Sequence, residues 1–309
     1  MTARAAKPTI LWVVTDEKPG HRSQQEGLVE RLQALAPFEI HWLPVDTIQI
    51  SLLDAVLRRR VMPNLPAPDW IMGAGSGTHS LILMLKRIFR AKTILLMKGA
   101  FPAALFDANI TPLHDNPPMR KNVLPTTGVM NPVIPRYEGR DKNTGTFLIG
   151  GINEHYGWDD GAVIDQVEKI CRAQSGVQWT LTDSRRSPEA FLPALQARNL
   201  PNLTLISHKD TARGFIKQQL DTTGQLWVTR DSVSMVYECI TSGAPTGLLD
   251  LKPLRQSRVV KNMDELLKEG WIRDFAHWDL HQPLPPSPTR LWEADRAAKW
   301  LLDWLGPVC

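Results

Sequence analysis

Apolar residues fall into short continuous runs, each followed by a polar or glycine-bearing turn and then by a stretch with apolar positions three or four apart. The runs Ile10 to Val14, Phe38 to Val45, Asp69 to Met72, Thr93 to Met97, Thr146 to Ile149, Trp179 to Thr182, Leu203 to Ile206, Leu226 to Thr229 and Thr246 to Leu249 read as strands. Helical spacing covers Gln24 to Ala34, a segment from His79, Asp160 to Ala173, Asp210 to Leu220, Met235 to Ile240, Arg258 to Gly270 and Thr289 to Leu305. Regular alternation of strand and helix predicts parallel α/β architecture, and 309 residues suit two domains better than one.

The stretch Gln225 to Asp250 carries the most chemistry. It reads strand, polar turn, helix, Gly243 stop, strand, which is a βαβ unit, and ligands of such units sit where strand carboxyl ends meet helix N-termini. Asp231, Ser232 and Ser234 occupy the turn, where hydroxyls and open backbone amides can share a phosphate. Glu238 follows Ser234 by one helical turn, so its carboxylate can accept hydrogen bonds from a vicinal diol such as a ribose. Serines that only cap the helix and a solvated glutamate would give the same spacing.

The run VTRDSVSMVYECITSGAP resembles the nucleotide-sugar segment of GT-B glycosyltransferases, notably the N-acetylglucosaminyltransferase of peptidoglycan synthesis. Together with DEKPGHRSQQEGL, FDANITPLHD and TDSRRSP in that order, it is closer still to a family named after a plant mitochondrial-fission protein. The resemblance implies a GT-B-like α/β fold: two Rossmann-type domains facing a cleft, with a C-terminal helix crossing back to the first. The expected division is an acceptor domain over 1–140, a nucleotide-sugar domain over 141–285 and the returning helix over 286–309. It also implies transfer of a sugar from a nucleotide-sugar, UDP-linked by analogy, to an envelope glycolipid or other glycan or lipid-linked acceptor. No resident cofactor is implied. A nucleotide-sugar epimerase and a non-catalytic membrane-associated protein are the competing readings.

Within the second domain, the resemblance makes Gly150 and Gly151 a turn whose amides approach the donor diphosphate. Ser184, Arg185 and Arg186 end the next strand, and paired arginines there can neutralise a departing diphosphate. A solvent-exposed basic turn is the plainer alternative.

In the first domain the strand Ile10 to Val14 runs into a single-glycine loop, too sparse for a dinucleotide fingerprint. Its Lys18, Gly20 and His21 can serve an acceptor or the transferred sugar. His21, near a helix N-terminus that disfavours its charged form, is the first candidate for general base, although a solvent-facing helix-start histidine fits equally. Gly75 and Ser76 lie in a glycine-rich loop that forms a crevice wall. His114 and Asp115 end the FDANITPLHD segment; neighbours on an extended chain point to opposite faces, so only one can face a crevice unless the strand has stopped. Asp115 is the second candidate base and His114 an acceptor contact.

Composition narrows the partners. A formal charge of +4 with scattered basic residues and no recognition motif argues against nucleic acid. Arg58, Arg59 and Arg60, and the basic residues between Lys86 and Lys98, flank apolar segments; a basic rim beside exposed apolar residues suits anionic lipid, and a core helix with a solvated basic face suits the pattern too. Three separated cysteines, Cys171, Cys239 and Cys309, fit a reducing compartment. The amino-terminal apolar run is too short for a signal peptide, so the expected location is cytoplasmic, with peripheral contact at the inner membrane as the limit. Eleven tryptophans can stack on sugars or fill cores. His277 and His281 have the four-residue spacing of helical metal ligands but lack a third partner, and with no D-x-D motif no metal site is expected.

Overall fold

The computed structural model describes residues 7–59, 62, 64–212 and 214–306; Arg60 and Cys309 lie outside the described residues. The chain divides into two compact units, one of residues 1–132 and 292–309, the other of residues 133–291.

The first unit runs β1 (Thr9–Thr15), α1 (Pro19–Leu35), β2 (Phe38–Pro44), α2 (Leu52–Leu57), β3 (Trp70–Ala74), α3 (His79–Phe89), β4 (Lys92–Leu96), β5 (Ala108–Pro112) and β6 (Val123–Thr126). Its strands form one parallel sheet in the order β2-β1-β3-β4-β5-β6. Strands buried on both faces need apolar residues at every position, which is why β1 reads as a continuous run. Leu11 and Val13 point to one face and join Leu28 and Leu32 of α1, while Ile10, Trp12 and Val14 point to the other and join Ile82 and Leu85 of α3.

The second unit runs β7 (Asp141–Leu148), β8 (Tyr156–Gly157), α4 (Asp160–Ala173), β9 (Gln178–Thr182), α5 (Phe191–Gln196), β10 (Leu203–Ile206), α6 (Phe215–Thr222), β11 (Thr223–Thr229), α7 (Val233–Ser242), β12 (Thr246–Leu249), β13 (Lys252–Pro253), α8 (Arg258–Lys268) and β14 (Arg273–Asp274). Its main sheet is parallel, in the order β10-β9-β7-β11-β12-β14. The order reverses between β7 and β11, so the chain leaves those two strands in opposite directions and opens a crevice at their carboxyl ends.

A last helix, α9 (Glu293–Leu305), returns to the first unit. Ala297, Ala298 and Leu301 are fully buried in the core they share with α1, and Arg31 of α1 pairs with Asp295 at 2.5 Å. Small residues let α9 lie close to α1, and the ion pair fixes its register.

The unit boundaries differ from those expected at 140 and 285. Residues 133–140 belong to the second unit because Arg140 donates to the carbonyl oxygens of Arg136, Thr223 and Ser242, and Tyr137 packs against Gly243. At the other end, Arg290 lies over the Tyr137 ring, 4.7 Å from its centroid, which keeps the chain in this unit as far as Leu291.

Candidate functional site

The turns after β7, β9 and β11 meet in the second unit. Gly150 N–H donates to Thr229 Oγ1 at 2.7 Å and Gly151 N–H to the Asp231 carboxylate at 3.1 Å. The Gly150 carbonyl accepts from the hydroxyls of Ser184, at 2.6 Å, and Ser187, at 2.5 Å. Arg186 closes the frame with a 2.8 Å ion pair to Asp231, whose side chain is fully buried. A Cβ on Gly150 would stand 2.2 Å from the Asp231 carboxylate and one on Gly151 2.1 Å from the Arg186 carbonyl oxygen, so side-chain-free backbone is required at both.

The Gly150 and Gly151 amides are spent on Thr229 and Asp231 rather than presented to a diphosphate, because the glycines serve the close packing of three turns. Arg186 and Asp231, both expected to contact the donor, pair with each other through Asp231 Oδ2, while the buried Asp231 Oδ1 has no hydrogen-bond partner among the described residues.

Beside this frame lies a cavity of about 350 Å³, walled by Leu148, Thr182, Ser184, Arg185, His208 and Glu238 among others. It brings together three residues predicted for the donor: Ser184, Arg185 and Glu238. Arg185 is exposed, leaving a fixed cation at the wall. Met235 and Glu238 come from α7, whose N-cap Ser232 makes no side-chain bond to the helix. The first intrahelical bond is Val236 N–H to the Ser232 carbonyl at 3.0 Å, so the amides of Val233, Ser234 and Met235 have no partner within the helix. Ser234 therefore sits inside the first turn rather than at the cap. Neither Ser232 nor Ser234 is part of the cavity wall; they lie at the adjoining helix start.

His208 was not singled out from sequence. It follows β10, and Asp183 follows β9, the neighbouring strand, so the pairing of these strands brings together residues 25 apart. The Asp183 carboxylate accepts from His208 N–H at 2.6 Å and from its Nδ1 at 2.9 Å. Since a carboxylate only accepts, Nδ1 carries a proton and the Asp183 bond fixes the ring through it. The cavity thus offers a cation, a carboxylate and an oriented imidazole, a set able to hold an anionic, hydroxyl-rich ligand.

The first unit carries a separate constellation. Asp16 follows β1 and accepts from His21 Nδ1 at 2.9 Å, which fixes the ring through that nitrogen. Burial opposes the charged form of Asp16, but the hydrogen bond and charge of His21, with help from Lys18, outweigh it and hold the carboxyl below its ordinary range. Gly75, after β3, has φ +82°, and a Cβ there would meet His21 Cε1 at 2.3 Å. The glycine thus makes room for the imidazole. Lys18, 3.6 Å from Asp16, is largely exposed, as are Gly20 and Ser76. His79, buried at the start of α3, accepts from Ala100 N–H at 3.1 Å; burial, then the nearby charge of His21, lowers its pKa.

The strand β5 stops at Pro112, and residues Leu113–Asp115 form a 3₁₀ turn, so His114 and Asp115 escape the strict alternation of a strand. Asp115 is buried and lines a cavity of about 200 Å³ with Lys98, Asn109 and Thr111. Neither His21 nor His114 is among the residues lining it, so His21 and Asp115 lie in different places in the unit. His277 and His281 lie in a turn rather than on a helix, and His277 Nδ1 pairs with Asp274 at 2.7 Å. Among the described residues no group of three or more His, Cys, Asp or Glu side chains could hold a metal ion.

Two parallel-sheet Rossmann-type units with a crevice at each reversal of strand order define a GT-B-like fold. Solved structures agree. The chain resembles the MurG of Acinetobacter baumannii at 15% identity, covering 96% of this chain and 92% of that one with a TM-score of 0.53. It resembles the UDP-GlcNAc 2-epimerase of Neisseria meningitidis bound to UDP-GlcNAc at 10% identity, covering 97% and 99% with a TM-score of 0.54. A third likeness is to CalG4, the calicheamicin glycosyltransferase, at 12% identity, 98% and 99% coverage and a TM-score of 0.53. The chain belongs to the mitochondrial fission ELM1 family, whose model matches residues 19–305. Its relative RP120 of Rickettsia prowazekii (strain Madrid E), an uncharacterised protein, is 22% identical over 297 residues, covering 76% of this chain and 81% of that one.

Proposed function

We propose that the second unit binds a nucleoside-diphosphate sugar in the cavity between Ser184, Arg185, His208 and Glu238, and that the protein transfers the sugar to a hydroxyl of an envelope glycolipid or related acceptor. The observation that carries this reading is the meeting of Arg185 and Glu238 on one cavity wall beside the uncapped start of α7, next to the β7/β11 reversal. Arg185 and the open amides of α7 suit the diphosphate; Glu238 suits the ribose diol.

In the transfer, the acceptor oxygen forms a bond to the anomeric carbon, and the bond from that carbon to the diphosphate breaks with its electron pair on the phosphate oxygen. Arg185 balances the charge that develops there, a role that needs no metal. His21 Nε2 takes the acceptor proton, and Asp16 supports the resulting imidazolium through Nδ1. Asp115 is the second candidate for that proton. UDP-linked N-acetylglucosamine is the first donor to try, because the epimerase of similar fold was solved with UDP-GlcNAc bound.

The test is release of UDP from UDP-N-acetylglucosamine by the purified protein, with and without extracted lipid-linked glycans. Release that requires the extract and is lost in His21→Ala supports transfer. A changed sugar without any acceptor would support an epimerase instead, and no turnover of any nucleotide-sugar would contradict both.

A further inference from the structure

The short helix α2 turns most of its apolar side chains outward. Leu52, Leu53, Val56 and Leu57 are 74, 56, 60 and 53% exposed, and only Ala55 is buried. Isolated exposed leucines are ordinary, but four on one six-residue helix form a contiguous patch. The helix is nonetheless firmly built. Ser51 and Asp54 form a reciprocal capping box, and Arg58 ends the helix in the left-handed conformation.

Cations border the patch. Arg58 and Arg59 leave the end of α2, and exposed Arg87 and Arg90 lie on and just after α3, which packs beside it. The packing of α2 against α3 brings Arg58 within electrostatic reach of Arg87 and Arg90, whose charges, Arg87 first, lower its pKa. The one carboxylate of α2, Asp54, is engaged by Ser51 at 2.5 Å and faces Arg59 at 3.9 Å. By contrast, α3 itself is a core helix: Ile82 and Leu85 are fully buried, and Lys86 is paired with Asp107 at 2.9 Å.

We propose that the outer face of α2, with the arginines beside it, docks on an anionic lipid bilayer. Charge complementarity selects this occupant, since clustered arginines repel one another unless a negative surface faces them, and apolar side chains beside them can enter the interface between headgroups and acyl chains. The contact is peripheral: among the described residues no helix is long and apolar enough to cross a membrane. Docking is independent of the nucleotide cavity and does not rest on the proposed transfer.

The test is sedimentation of the full chain with phosphatidylcholine vesicles that contain or lack phosphatidylglycerol. Binding should require phosphatidylglycerol, fall as salt screens the charges, and weaken about 20-fold in Arg87→Glu/Arg90→Glu. Leu52→Ser/Leu53→Ser should also lose binding, while both variants keep the wild-type melting temperature because all four positions are exposed. Equal binding to neutral vesicles, or wild-type binding by either variant, would overturn the proposal. A dimer in solution that the leucine variant abolishes would also overturn it, by showing that a second copy covers the face.

Discussion

Arg186 and Asp231 hold each other at 2.8 Å across two turns of the second unit, with the carboxylate fully buried and also accepting the Gly151 N–H. Both are candidates for donor contact, and their pairing ties the turn after β9 to the turn after β11, beside Arg185 and the start of α7. Arg186→Ala should therefore destabilise the fold by about 1–3 kcal/mol by leaving a buried carboxylate without its cation. Arg185→Ala should leave stability within about 0.5 kcal/mol of wild type and weaken nucleotide binding by about tenfold or more. Urea unfolding beside nucleotide titration separates the two; similar stability losses in both variants would refute the division of labour.

Asp16 and His21 make the corresponding pair in the first unit. The folded carboxyl has its pKa below the ordinary 3.8, so its contribution to stability is present above that value and is lost as pH falls through the folded pKa. Asp16→Asn should cost about 0.5–1.5 kcal/mol at neutral pH and little once the wild-type carboxyl is protonated. Turnover should fall about 100-fold with donor affinity unchanged, since the imidazole loses its orienting partner. A loss of stability that stayed constant down to acid pH would rule out the ionised pair as its source.

Gly75 tests the same pair sterically. Gly75→Ala places a Cβ at φ +82° and ψ 155°, a region open essentially to glycine, so it should cost about 1–3 kcal/mol and displace His21, lowering turnover without changing nucleotide affinity. Activity equal to wild type would show that the imidazole position is not needed.

The fold could be read from the chain because strands buried on both faces leave unbroken apolar runs, as in Leu226 to Thr229 of β11, and the glycine stop at Gly243 marks the end of α7. The places of Ser184, Arg185 and Glu238 at a strand end and one turn into a helix follow from local spacing, and they line one cavity. The pairing of Asp183 with His208 was not legible, because it depends on β9 and β10 lying side by side. Nor could sequence distinguish Arg185 from Arg186: adjacent residues of one type diverge only once Asp231 is in place. For α2, local pattern showed apolar and basic residues together but not which face lacked a neighbour.

Burial also sets thiol chemistry. It pushes Cys171 up to about 12 and Cys239 well above the ordinary thiol value, so neither forms appreciable thiolate in the folded protein. Both should resist iodoacetamide at about pH 8 and react after denaturation. Because the folded pKa lies above the ordinary 9.0, this stabilising contribution is present below that pH and is lost as pH rises toward the folded value. Rapid alkylation of either residue in the native protein, mapped by peptide mass, would contradict the buried placement.

The most direct measurement is calorimetric titration of UDP into the wild-type protein and Glu238→Ala. A carboxylate holding a ribose diol contributes a charge-assisted hydrogen bond, so the wild type should bind and the variant should bind about 10- to 100-fold more weakly, with its melting temperature preserved. Equal affinity in the two proteins would contradict the placement of the nucleotide in the Glu238 cavity.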